Sequence, residues 1–178
     1  YIEFLLETNK SINLTGIKEP REAIIKHTLD SVSASVAIKG ELIADVGSGG
    51  GAPGIPLAIA NPDKAFVLVE STTKKANFIR SAAIKLEINN IKVICDRAEN
   101  ITNQSVDTVI SRAYGSLNYL IETTRKMVAQ KGLFLAMKGK INKKEVNEIM
   151  SGFTVLQIQE IEVPYLEASR HFVFIKRT

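Results

Sequence analysis

Between Glu41 and Lys138 the chain alternates five short apolar runs with helical stretches. The apolar runs are LIADV, FVLVE, IKVIC, VDTVIS and GLFLAMK; the stretches between them include IPLAIA, TTKKANFIRSAAIKLE and LNYLIETTRKMVA. Strands that are apolar along their whole length need cover on both faces, and crossover helices supply it. The pattern therefore predicts an α/β fold with a parallel sheet between helical layers. Gly132 stands where a C-cap would close the last helix before the fifth strand. The tail departs from the alternation. FTVLQIQEIEV and RHFVFIKR are β-type runs with no helix between them, which reads as an antiparallel pair at the sheet edge. The expected sheet is mainly parallel, with seven strands and an antiparallel edge.

The first forty residues read as helix. YIEFLLETN has helical apolar spacing, NLTGIKEP interrupts it, and Pro20 suits the first turn of a second helix through PREAIIKHTLDSVSASVAI. The expected organisation is a helical extension over 1–40 joined to an α/β domain over 41–178. A chain of 178 residues supports one domain with a sizeable core. It begins at Tyr1 rather than Met, so further N-terminal sequence is expected ahead of it.

The net charge of +4, from 23 basic and 19 acidic residues, permits a nucleic-acid partner without requiring one. No apolar run reaches membrane-spanning length and no signal-peptide pattern opens the chain, so no membrane partner and a cytoplasmic location are expected. Cys95 is the one cysteine. It has no partner for an internal disulfide, and a cysteine-rich zinc site is excluded. Lying in an apolar run, it is expected as a small buried hydrophobe rather than a nucleophile. His27 and His171 lie far apart with no metal-ligand spacing, and no metal is expected.

Chemistry concentrates in Asp45–Gly54, DVGSGGGAPG, where five of ten residues are glycine. A Walker A loop would need Lys after the last glycine, and Ile55 stands there. Gly49, Gly51 and Gly54 formally satisfy the dinucleotide fingerprint. Asp45 argues against that reading, because a carboxylate at the loop mouth would repel a pyrophosphate resting there. The sulfonium and ammonium of S-adenosylmethionine (AdoMet) would gain from the same carboxylate. Glycines such as Gly47 let backbone approach the ligand closely. Glu70, ending the second strand, is placed to accept hydrogen bonds from ribose hydroxyls, in NAD and AdoMet alike. After the third strand, Asp96 and Glu99 are placed to bind an adenine amino group or to hold their own loop. The amide of Ala98 or Glu99 is placed for a ring nitrogen. After the fourth strand, Ser111–Gly115 reads SRAYG. It lacks the Asn- or Asp-Pro-Pro-aromatic segment that activates exocyclic amines for methylation.

In order and spacing, NLTGIKEPREAIIKHTLDS, DVGSGGGAPGIPLAIA, DRAEN, SRAYG and FLAMKG resemble the bacterial small-subunit rRNA methyltransferase G family, over roughly residues 13–176. The resemblance implies a class I AdoMet-dependent methyltransferase of Rossmann-like fold. It implies methylation of N7 of one guanine in the decoding-region loop of 16S rRNA, with the small ribosomal subunit as partner and a monomeric enzyme. It implies cofactor contacts from Gly47 with its neighbour Gly49, and from Ala52, Glu70, Ser71, Thr72, Ala98, Glu99 and Arg112. The family often has Asp at position 70 and a larger apolar residue at position 52.

Guanine N7 carries an in-plane lone pair and no proton, so its attack on a methyl group needs no general base; no catalytic base is expected. Catalysis would then rest on positioning. Arg112 would orient guanine through O6, or hold the cofactor side. Lys138 and Lys140, with Lys143 and Lys144, form the basic run KGKINKK, and Lys26, His27 and Arg97 are further candidates for phosphate contact. Other readings of the same residues are a methyltransferase acting on another RNA site or a small molecule, and a non-catalytic AdoMet- or RNA-binding module.

Overall fold

The structure, a computed structural model, describes residues 1–178. Seven strands form one sheet: β1 (Leu42–Val46), β2 (Ala65–Val69), β3 (Ile91–Ile94), β4 (Val106–Arg112), β5 (Val128–Lys138), β6 (Phe153–Ile161) and β7 (Arg170–Arg177). Their order is β3-β2-β1-β4-β5-β7-β6. β1 to β5 are parallel, and β7 runs antiparallel between β5 and β6. The α/β class, the parallel sheet and the antiparallel edge pair agree with the sequence pattern. β1, β2 and β4 are buried almost end to end because helices cover both faces. The strand order reverses between β1 and β4, where ligands lodge at the carboxyl ends of such sheets.

Two apolar layers hold the helices. One joins Ile43, Phe66, Leu68 and Ile110 to Ile55 and Leu57 of the helix Gly54–Ala60, and to Phe78 and Ile79 of the helix Thr73–Lys85. Leu5, from the first helix Ile2–Ile12, and Leu14 belong to the same layer. Phe4 stacks on Phe78 with ring centroids 5.3 Å apart. The N-terminal helical segment thus shares the core of the sheet. The other layer packs Leu117, Leu120 and Ile121 of the helix Leu117–Thr124 against Val109, Phe134 and Val173.

Three local expectations change. The second helix is not uniform: it opens as α over Pro20–Ala23, widens to a π turn over Ile24–Leu29, and tightens to a 3-10 turn over Ser33–Val36. Gly132 caps no helix. The preceding helix ends at Thr124, and Gly132 lies inside β5. The pairing of β4 with β5 jumps from Val106↔Val128 to Thr108↔Leu133, so a bulge holds the residues between. A Cβ at Gly132 would meet the Val128 side chain at 2.6 Å and the Asp107 carbonyl at 3.0 Å, which explains glycine within a strand. Cys95 is only half-buried, because β3 ends one residue earlier, at Ile94.

Candidate cofactor and substrate site

The glycine loop leaves β1 with Gly47 at φ +74°, in the region that favours glycine. Its backbone is tied to the next strand: the Gly47 amide donates to the Val69 carbonyl at 2.9 Å. Glu70 follows directly. One of its oxygens accepts the Gly49 amide at 2.8 Å and the other accepts the Thr72 amide at 2.7 Å. Each carboxylate oxygen has a second acceptor direction. Glu70 therefore fixes the loop and still has acceptor capacity for a pair of ribose hydroxyls. Ser71 and Thr72 are exposed beside it. Ala98 is buried at the start of a short turn after β3, and Glu99 lies exposed with Arg97 at 3.6 Å. Ala52 is half-buried at the far end of the loop. Gly47, Glu70 and the Ala98–Glu99 turn thus follow β1, β2 and β3 at their carboxyl ends. A carboxylate with spare acceptor capacity, a glycine loop and a buried alanine suit an adenosine carrying an amino-acid tail.

Asp45 sits elsewhere than the sequence suggests. It is fully buried beneath the loop, and its Oδ2 accepts the Gly54 amide at 2.9 Å. Its position within β1 points it at the helix layer rather than at the loop mouth. Oδ1 has no partner. Burial pushes its pKa from 3.8 up to about 7, although the Gly54 N–H and the Arg112 guanidinium pull the other way. Asp45 holds the start of the following helix. It makes no direct approach to a cation at the mouth.

Arg112 ends β4 and turns toward the N-terminal segment. Its guanidinium donates to the Lys26 carbonyl, to Asp30 Oδ2 at 3.1 Å and to His27 Nδ1 at 3.1 Å. Asp30 is buried and also accepts from Arg170 of β7 at 3.1 Å. One carboxylate thus joins two arginines from different strands. Because arginine only donates, His27 must accept at Nδ1 and carry its proton on Nε2. Nε2 then donates to Thr15 Oγ1 at 2.8 Å. Burial, reinforced by the Arg112 charge, pushes His27 down to about 4, so it is neutral at physiological pH. His27 braces Arg112 from inside the fold.

These residues line a cleft of about 360 Å³ at the carboxyl ends of β4 and β5, together with Ser111, Tyr114, Met137 and Lys138. Lys138 donates to the Gly115 carbonyl at 2.7 Å and to Glu145 at 2.9 Å. Lys140, Lys143 and Lys144 are exposed, and Asn142 caps the short helix Lys143–Asn147. Arg97 is exposed across the site, beside the Ala98–Glu99 turn. The sequence pattern does not single out Asp30, Tyr114 or Arg170. Asp30 lies in KHTLDS with no apolar reason to be buried. Arg170 is 140 positions from its partner Asp30, beyond the reach of any local pattern.

A sheet of this order, with a glycine loop after β1 and an acidic residue after β2, defines the class I methyltransferase fold. A SAM-dependent methyltransferase from Aquifex aeolicus superposes with a TM-score of 0.68 at 16% identity, over 92% of this chain and 96% of that one. Precorrin-6y C5,15-methyltransferase from Geobacter metallireducens gives 0.56 at 14%, over 94% and 92%. These likenesses describe the fold. Sequence comparison goes further. The family model described as rRNA small subunit methyltransferase G (GidB) matches residues 1–173. The ribosomal RNA small subunit methyltransferase G of Actinobacillus succinogenes is 41% identical over 169 residues, 94% of this chain and 80% of its own length. Its namesake from Shewanella frigidimarina is 38% identical over 178 residues, 99% and 86% respectively. The chain belongs to the rRNA small subunit methyltransferase G family.

Proposed function

We propose that this protein methylates N7 of one guanine in the decoding-region loop of 16S rRNA, using AdoMet. The observation that carries the reading is the pairing of two sites. The glycine loop with Glu70 suits a nucleoside carrying an amino acid, and beside it a cleft presents a fixed arginine at the end of β4. AdoMet supplies an electrophilic methyl group. In the chain, Glu70 takes the ribose hydroxyls, Gly47 and Gly49 give backbone access to the methionine end, and the Ala98–Glu99 turn receives adenine. Ser71, Thr72 and Ala52 border the same site. Arg112, braced by Asp30 and His27, orients guanine through O6. Its Nδ1 already engaged, His27 takes no proton, in keeping with an acceptor nitrogen that has none to lose. Lys138 steadies the cleft wall, while Lys140, Lys143, Lys144 and Arg97 meet phosphates. Residues 1–40 work as one unit with 41–178. The enzyme acts as a monomer in the cytoplasm. No helix is long and apolar enough to cross a membrane.

The test is transfer of label from radioactive AdoMet to 30S particles and to naked 16S rRNA, followed by nuclease digestion. Labelled 7-methylguanosine is expected. No label in either substrate would sink the rRNA reading, and label in a different nucleoside would sink the N7 assignment. Glu70→Ala should weaken AdoMet binding at least tenfold, the loss expected when two charge-assisted hydrogen bonds go.

A further inference from the structure

Tyr114 is held in an unusual way. It stands between Ala113 at φ +54° and Gly115 at φ +143°. A left-handed alanine is strained, and such strain collects at functional sites. One edge of the Tyr114 ring lies on the glycine loop: a Cβ built on Gly47 would be 2.5 Å from Tyr114 Cδ2. The phenol donates to Thr123 Oγ1 at 3.3 Å. The ring centroid lies 5.2 Å from that of Tyr119, which is 43% exposed. Tyr114 also lines the cleft that contains Arg112 and Lys138. Burial pushes the phenol pKa up, and the nearby Glu99 carboxylate adds to the effect. The ring therefore touches the glycine loop on one side and the cleft on the other. It borders the space beside Arg112 that a base would take.

We propose that Tyr114 receives the target base: packed on Gly47 and backed by Tyr119, its ring is the stacking surface for the target guanine. This rests on the function proposed above. A base reached in an RNA loop is unstacked from its neighbours and needs a new π-face, which aromatic side chains provide. Thr123 and Tyr119 hold the ring in this place.

The test compares the full-length wild type with Tyr114→Ala, Tyr114→Leu, Tyr114→Phe and Tyr119→Ala. Calorimetry without RNA measures affinity for S-adenosylhomocysteine. A 16S rRNA fragment carrying 2-aminopurine at the target position reports stacking by quenching. Tyr114→Ala and Tyr114→Leu should bind S-adenosylhomocysteine at least as tightly as wild type. Both should lose the quenching and raise the KM for RNA about tenfold, the cost of removing one aromatic–base stack. Tyr114→Phe should keep quenching and KM. Tyr119→Ala should raise the RNA KM with unchanged cofactor affinity. Weaker S-adenosylhomocysteine binding by folded Tyr114→Ala or Tyr114→Leu overturns the proposal, as does wild-type quenching and KM in either. A wild type that binds no S-adenosylhomocysteine at all overturns the function itself, and this proposal with it.

Discussion

Replacing Asp45 with asparagine removes a buried charge and keeps an acceptor for the Gly54 amide. Burial raises the Asp45 pKa from 3.8 to about 7, so the folded protein holds this proton more tightly than the unfolded chain. The stability contributed by the group is complete below about pH 4 and is lost as pH rises through about 7. Within that window each pH unit is worth up to about 1.4 kcal/mol. From about pH 5 to about pH 8 the wild type should therefore lose ~2–3 kcal/mol relative to Asp45→Asn. Urea denaturation of both proteins across this range measures the difference. Other ionisable groups are common to both chains and cancel in the comparison. Parallel stability curves would refute the reasoning, because they would mean that Asp45 carries no raised pKa in the folded state.

Gly54→Ala would place a Cβ 2.7 Å from both Asp45 Oδ2 and Leu68 Cγ; overpacking of this kind costs ~1–3 kcal/mol, seen as a lower thermal midpoint in calorimetry. Asp30→Asn breaks the carboxylate bridge between Arg112 and Arg170, with a stability cost of ~3 kcal/mol. It should also lower kcat for RNA methylation, with S-adenosylhomocysteine affinity unchanged by calorimetry. Alanine at Lys140, Lys143 and Lys144 together should flatten the plot of log RNA affinity against log salt, by about 0.7–0.9 for each phosphate that is no longer neutralised. An unchanged slope in a filter-binding titration would remove these lysines from the RNA surface.

The sheet was legible because each parallel strand is apolar along its length and each crossover helix is bounded by turn residues. The positions of the glycine loop and Glu70 were legible for a related reason: they are local, a flexible turn after β1 and a carboxylate just past the end of β2. Gly132 misled because a glycine after a helical stretch signals a C-cap equally well as a bulge. The choice depends on the Val106–Val128 pairing across the sheet. Asp45 misled because sequence gives strand position but not which face the side chain takes. Its burial under Gly54 takes the carboxylate away from any cation at the loop mouth, leaving family membership as the firmer ground for the cofactor. Asp30, Arg170 and Tyr114 meet the cleft only through tertiary folding, and no spacing rule joins them.

β7 enters the sheet between β5 and β6 although it is made after both. Until residue 177 has been synthesised, β6 has no neighbour and Asp30 lacks one of its two arginines. β7 also sends Phe172 into one apolar layer and Val173 into the other, so one strand ties the edge, both cores and the cleft together. Loss of β7 would therefore take from the protein its sheet edge, part of both cores and the Arg170 end of the cleft together.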